Sequence, residues 1–335
     1  MQARAGLKEK LPPRDVAFLL PAYNEEPTVR RAIESILAQD IKEPMDIVFS
    51  DHSSSDRTLQ IMIEYEATYR GPHRIFVFKT AKEHGDTIAG LNSHINILMQ
   101  RLNNKFFILG TADDEEAPSR ARLMVEAWKA TNAGYLTGSQ HFVLPEGLEF
   151  SSMVGMTRHV HLNELVKENF FNPSMNGASC WTRKLFDRYG PLPLRWANDL
   201  VMPMWGVLSY GTYHVGKIIR TFYITGRQTG IGSQFMTEKD PIVREQKQEW
   251  MNFERCGVAM YLLDVLETEL RQAELEVDVC NAETNFVYNP FLPHKTDLIS
   301  AYARIMRTVI TRTNEWVQQR QHMTDKGIAP LAYPR

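Results

Sequence analysis

The chain has 335 residues, 43% of them hydrophobic, and carries 38 Lys+Arg against 40 Asp+Glu for a formal net charge of −2. That is enough apolar material for one large domain or two ordinary ones, and it excludes wholesale disorder. Balanced charge gives no broad electrostatic reason to bind nucleic acid or a membrane surface, and no apolar run approaches the ~18 residues of a membrane span.

Val16–Leu20 (VAFLL) is a short apolar run ended by Pro21 and reads as a buried strand. Thr28–Gln39 follows with Val29, Ile33, Ile36 and Leu37 at helical spacing. Asp46–Ser50 (DIVFS) is a second strand, ending in the polar cluster DHSSSD. Arg57–Tyr69 is helical, Arg74–Lys79 (RIFVFK) a third strand, and Thr87–Leu102 a third helix. Lys105–Leu109 is a fourth strand, which runs into the acids Asp113, Asp114, Glu115 and Glu116, before a helix that begins near Pro118. Strand and helix alternate with short connections, which predicts a mostly parallel sheet covered on both faces. In such sheets ligands bind beyond the carboxyl ends of the strands. PAYNEE, SDHSSSD and GTADDEE all fall there, so three polar loops share one rim.

The second half is less regular. Gly134–Phe142 and Val215–Ile224 read as strands, residues 152–169 and 180–189 as helices. Residues 241–272 and 296–320 are long helical patterns with interspersed charge, and a boundary is expected near Pro241. Leu262, Val265, Leu266 and Leu270 make an apolar helical face, suited to packing on the preceding domain or to self-association. Cys180, Cys256 and Cys280 are scattered and form no Cys-x-x-Cys pair, which suggests neither a disulfide framework nor a structural zinc site. The charged segment MQARAGLKEKLPPRD leads into no leader-like apolar stretch, so the expected compartment is the cytoplasm.

On spacing alone, the acids after the fourth strand have two readings. They face water or cap the next helix, or they hold a hard divalent cation, Mg²⁺ or Mn²⁺, that leaves room for substrate phosphates. Three tryptophans, Trp181, Trp196 and Trp205, are core material or sugar-stacking surfaces. His214 beside a strand reads as structural rather than as a metal ligand.

Several ordered pieces carry a resemblance. VAFLLPAYNEEPTVRRAIESILAQD resembles the first strand, Pro-x-Tyr-Asn turn and Ser-x-x-x-Gln helix of the family 2 glycosyltransferases. DIVFSDHSSSDRT resembles that family's second strand and acidic loop, and EHGDTIAGLN its Asn-x-Gly-x-x-x-Ala-x-Asn segment. FFILGTADDEEAP resembles the strand bearing the Asp-x-Asp metal motif. NGASCWTRKLFDRYGPLP with WANDLVMPMWGVLSYG resembles the acceptor-side helix and its Glu-Asp pair. Together these cover about residues 15–230.

The resemblance implies an α/β fold of GT-A type, with a mostly parallel, Rossmann-like twisted sheet flanked by helices. It divides the chain into a tail (1–14), a catalytic domain (15–240) and a helical C-terminal region (241–335). Within the domain, 15–130 would bind the nucleotide-sugar and 131–240 the acceptor. It implies inverting transfer of a sugar from a nucleotide diphosphate, UDP by expectation, to an acceptor hydroxyl. Asp199 becomes the general base. Pro21, Ala22, Tyr23, Glu25, Asp51, His52, Gly85, Asn92, Thr111, Ala112 and Arg227 become the nucleotide side, with Tyr23 able to stack on the base. Asp113 and Asp114 become ligands of Mn²⁺ or Mg²⁺, and Trp181, Trp196 and Asn198 the acceptor side. The acceptor itself, whether glycan, lipid-linked glycan, protein or nucleic acid, is left open.

Four positions depart from the family pattern. His52 replaces the second acid of the base-reading loop, and Thr111 replaces the first Asp of Asp-x-Asp. Asp86 stands where relatives carry a basic residue, a charge that Arg227, among Gly226, Gly230 and Gly232, or the metal would offset. Asn198 replaces the Glu of Glu-Asp. Two alternatives remain. Thr111, Asp86 and His52 would suit a non-catalytic nucleotide or carbohydrate binder. A sugar nucleotidyltransferase would need a Gly-rich, basic loop after the first strand, where this chain has the acidic PAYNEE.

Overall fold

A computed structural model describes residues 14–81, 88–144, 147–167, 178–224, 240–280 and 295–329. Strands β1 (Val16–Ala22), β2 (Asp46–Asp51), β3 (Arg74–Lys79) and β4 (Phe106–Leu109) alternate with helices α1 (Val29–Leu37), α2 (Thr58–Thr68) and α3 (Ile88–Arg101). They pair in parallel in the order β3-β2-β1-β4. Side chains along each central strand alternate between two buried faces. Phe18, Leu20, Ile47, Phe49, Phe106 and Ile108 meet α1, α2 and α4 (Arg120–Thr131). Ala17, Leu19, Val48, Phe107 and Leu109 meet α3, α6 (Arg183–Tyr189) and α7 (Asn198–Leu208). Burial on both sides is why these strands read as continuous apolar runs.

The first strand outlasts the expected stop at Pro21 and continues to Ala22. Leu19 presents its carbonyl to the β4 side, accepting from Gly110 N at 2.7 Å. Pro21 faces the same side two residues later, where β4 has ended, so its missing N–H interrupts no ladder.

Beyond β4 the sheet changes character. The segment read as one helix over 180–189 splits. Cys180–Thr182 is β9, antiparallel to both β4 and β6 (Tyr135–Val143). Thr182 then caps α6 by accepting from Leu185 N at 3.3 Å. The helix expected over 152–169 is mostly absent. Glu149–Ser151 (β7) pairs with β6, Arg158–Val160 (β8) pairs with β10 (Thr212–Tyr223), and Leu162–Lys167 (α5) is short. Between the strands, Met153 and Gly155 adopt positive φ, +50° and +86°, which no α-helix accommodates.

At the carboxyl end of β4 a fully buried ionic cluster joins four elements. Arg120 of α4 and Arg220 of β10 both donate to the Leu109 carbonyl, at 2.8 and 2.5 Å. Both also pair with Glu116 of the two-residue strand β5 (Glu115–Glu116). Arg220 lies a further 3.7 Å from the Asp114 carboxylate.

The C-terminal helices α8 (Pro241–Cys280) and α9 (Lys295–Asp325) pack on α5 and α7 through Leu262, Leu266, Leu298 and Ile305 against Leu165, Met204, Val207 and Leu208. Glu269 of α8 takes Arg188 at 2.9 Å and the Tyr189 hydroxyl at 2.8 Å from α6. Packing therefore accounts for the apolar face read around Leu262. Among the described residues no helix is long and apolar enough to cross a membrane.

Breaking a buried ion pair by deleting one partner strands the other charge. Arg220→Met is therefore expected to destabilise the fold by about 3–5 kcal/mol in urea or guanidinium unfolding. An exposed control, Arg122→Met, is expected to change stability by at most about 1 kcal/mol.

Candidate active site

The rim at the carboxyl ends of β1, β2 and β4 is built by hydrogen bonds between loops distant in sequence. Asn24, at φ +54°, accepts from Ser55 N at 2.8 Å and donates its own N–H to Ser54 Oγ at 2.9 Å. Glu25 N donates to Thr58 Oγ1 at 2.7 Å, and Glu26 N to Asp56 Oδ2 at 3.0 Å. The PAYNEE and DHSSSD loops are thus zipped together. Pro21 and Ala22 are buried at the end of β1. Tyr23 is half-buried with its ring edge-on to His52, centroids 6.4 Å apart. The Glu25 carboxylate accepts from Thr28 Oγ1 at 2.9 Å.

Asp51 ends β2 fully buried, and its carboxylate accepts from Ser54 N at 3.1 Å, which folds the loop over it. His52 contacts Thr80 Oγ1 through Nδ1 at 3.1 Å and stacks on His94 of α3 at 5.1 Å. His94 in turn bonds Ser50 Oγ. Burial, with His52 beside it, lowers the His94 pKa to about 3, so that imidazole is neutral near pH 7. The loop that carries two acids in the family pattern is backed here by a neutral imidazole.

The two aspartates after β4 have different surroundings. Asp114 is completely buried: Oδ1 accepts from Tyr223 N at 3.1 Å, Oδ2 from Thr111 Oγ1, and Arg220 lies behind it. Burial pushes its pKa up to about 7, with Arg220 opposing. These contacts make Asp114 an anchor of the loop, in place of the metal ligand expected of it. Asp113 is half-buried and forms no ion pair among the described residues. Burial raises its pKa too, against the pull of Arg220 and Arg31. Ala112, buried between Thr111 and Asp113, sets the spacing.

Asp113 suits a hard divalent cation. Its carboxylate is of the hard oxygen type such ions take, and its raised pKa is the state that a bound cation reverses. Among the described residues no group of three or more His, Cys, Asp or Glu side chains converges, so remaining ligands would be substrate phosphates and water. His214 is fully buried three residues into β10, toward the amino end of the strand and away from this rim. Burial lowers its pKa to about 4, which agrees with a structural role.

Asp199 is the second residue of α7, half-buried, with its pKa raised to about 6 by burial against the hydrogen bonds of its own and the Leu200 N–H. Pro203 stands four residues on and has no N–H, so the Asp199 carbonyl lacks its usual helical donor. The loop before Asp199 is held by Asn92, whose Nδ2 donates to the carbonyls of Pro193 and Trp196, each at 2.7 Å. Asn92 lies two residues before His94 of α3, which meets Ser50 and His52 at the carboxyl end of β2, so it ties the loop before Asp199 to the same rim. That brace replaces the nucleotide contact expected of Asn92.

On the acceptor side, Trp181 is a correction. It is 0% exposed and stacks on Phe107 at 5.9 Å, so its indole is core and not a sugar platform. Trp205 is likewise core. Trp196 is half-buried and lays its ring on Gly257 of α8, where even a Cβ would come within 1.8 Å. Asn198 is 6% exposed, with Nδ2 unbonded. Gly85, Asp86, Arg227 and the glycines around Arg227 lie outside the described residues.

Sequence reasoning passed over Arg31, Arg120, Arg220 and Tyr223. For Arg31 a signal existed: it stands four residues before Ser35 on one face of α1. The buried arginines gave none, since a charged residue in a helix or a strand reads as solvent-facing.

Among solved structures, the chain is similar to residues 1–349 of S. aureus TarS in complex with UDP-GlcNAc, with a TM-score of 0.53 and 16% identity over 91% of this chain and 92% of that one. It is similar to the same segment in complex with UDP at a TM-score of 0.50 and 14% identity, covering 91% of each chain. Full-length S. aureus TarS gives a TM-score of 0.50 at 14% identity, over 89% of this chain and 54% of that one. At such identities the likeness is one of fold, and it is the GT-A fold. No curated protein matches in sequence. The model of glycosyl transferase family 2 matches residues 18–190, which is more than half of the chain. The chain belongs to that family and is a glycosyltransferase.

Proposed function

We propose that the chain transfers a sugar, with inversion, from a nucleotide diphosphate sugar, UDP-linked in the first instance, to an acceptor hydroxyl. The observation that carries this reading is a division of labour at one rim. Asp113 is half-buried just after β4 and forms no ion pair among the described residues, while Asp199 is half-buried at the start of α7, behind a loop that Asn92 holds. The UDP and UDP-GlcNAc complexes of TarS, which shares the fold, support the choice of donor.

In this reading Pro21, Ala22, Tyr23, Asp51 and His52 receive the nucleoside, with Glu25 and Thr111 flanking it. Asp113 holds a divalent cation, Mn²⁺ or Mg²⁺, which when bound neutralises the diphosphate and helps it leave. Asp199 accepts the proton of the acceptor hydroxyl as that oxygen bonds to the anomeric carbon. The bond from that carbon to the phosphate oxygen breaks, and its electron pair departs with the nucleoside diphosphate. An oxocarbenium-like transition state is expected, as in other glycosyl transfers. A base with its pKa near 6 is ionised at neutral pH and still basic enough to take a proton. Arg227 is proposed for the diphosphate, and Trp196 and Asn198 for the acceptor.

Isothermal titration with UDP is expected to show binding that strengthens when Mn²⁺ is present; binding indifferent to the metal would favour a binder without metal-assisted chemistry. Asp199→Asn is expected to lower kcat by about 10²–10⁴-fold while UDP affinity stays at the wild-type value. Normal turnover by that variant would remove the base assignment. The wild-type kcat/KM is expected to fall about tenfold per pH unit below the Asp199 pKa of about 6, because the protonated carboxyl cannot accept the hydroxyl proton.

A further inference from the structure

We propose that Arg31 is a positioning residue that sets the Asp113 carboxylate for cation binding, an inference that rests on Asp113 being the cation ligand. Arg31 lies in the first turn of α1, 82 residues from Asp113, and donates Nη2 to the Asp113 carbonyl at 2.6 Å. Its guanidinium lies over the Tyr223 ring, 4.0 Å from the centroid. An ordinary surface arginine on a helix would have its planar group in water. This one has a buried Nε and two specific partners from distant elements.

The contact belongs to a series. Arg31 and Ser35 are four residues apart on one face of α1, and Gln39 follows just past the end of that helix. Ser35 Oγ accepts from Glu116 N at 3.0 Å. Gln39 donates to the Ala117 carbonyl at 2.8 Å and accepts from Ala121 N at 2.7 Å. Two side chains of α1 and one just past its end thus grip the main chain of residues 113, 116, 117 and 121.

Tyr223 completes the frame from β10. Its N–H holds Asp114 at 3.1 Å, and its hydroxyl holds the Glu115 carboxylate at 2.9 Å. Each residue from 113 to 116 is therefore tied to another element, and the tie on Asp113 comes from Arg31. A planar guanidinium can bond a carbonyl and stack on a ring at the same time, which an ammonium cannot do. The bond from Arg31 uses the Asp113 main chain, and the Asp113 carboxylate forms no ion pair among the described residues.

The test is binding of Mn²⁺ to the full chain in the presence of UDP, read by isothermal titration and by the electron paramagnetic resonance of bound Mn²⁺. Arg31→Met keeps the apolar stem and loses the donor and the plane. It is expected to weaken Mn²⁺ binding about tenfold with UDP affinity in the absence of metal unchanged; Arg31→Lys is expected to recover part of the loss. Tyr223→Leu is expected to weaken Mn²⁺ binding as well, and the double variant to be no weaker than the worse single one, as contact predicts. Tyr223→Phe, which keeps the ring, is expected to bind as wild type. Should Arg31→Met fail to fold, the comparison of Arg31→Lys and Tyr223→Leu with wild type carries the same test. Wild-type Mn²⁺ affinity in Arg31→Met or, failing that, in both of the other two would overturn the inference. Absence of Mn²⁺-dependent UDP binding in the wild-type chain would instead overturn the reading of Asp113 on which it rests.

Discussion

The constraint on which this rim depends is the carbonyl of Leu109. It is the last carbonyl of β4, and two buried guanidiniums, from Arg120 and Arg220, converge on it. Neither cation is tolerable there without Glu116, and Glu116 would be equally costly without them. Removing any one member leaves opposite charge uncompensated in a dry interior. The chain therefore has to turn immediately after Leu109 in a way that brings Glu116 back under the strand, and that turn is the segment carrying Thr111, Asp113 and Asp114.

A single carboxylate in that segment stays available because its neighbour does not. Asp114 is spent on Tyr223, Thr111 and Arg220. Asp113, one residue earlier, is left outside the cluster. The two adjacent aspartates are not equivalent: Asp114 is held inside the fold, and Thr111 is one of the groups that hold it. The departure of Thr111 from an acid thus has a local reason: its hydroxyl donates to the anchor carboxylate, where a second carboxylate would repel it.

Much of the frame could be read from the residues. The four apolar runs at β1 to β4, the helices between them and the shared rim all follow from burial on two faces and from short connections. Legibility failed where tertiary pairing overrode local pattern. Cys180–Thr182 is too short to look like a strand, yet it fills the gap between β4 and β6. The stretch 152–169 reads as helix, but its residues 158–160 are drawn into pairing with β10. At the site, motif order makes Asp199 and Asp113 candidates. The brace from Asn92 and the burial of Trp181 were not legible, because both depend on contacts from residues distant in the chain, 104 positions away in the Asn92–Trp196 bond.

The meeting of Trp196 with Gly257 ties the long C-terminal pair to the segment that delivers Asp199. A helix so far along the chain is therefore not a loose appendage: a side chain larger than hydrogen at Gly257 would push on Trp196, and through it on the loop before Asp199, from more than fifty residues away.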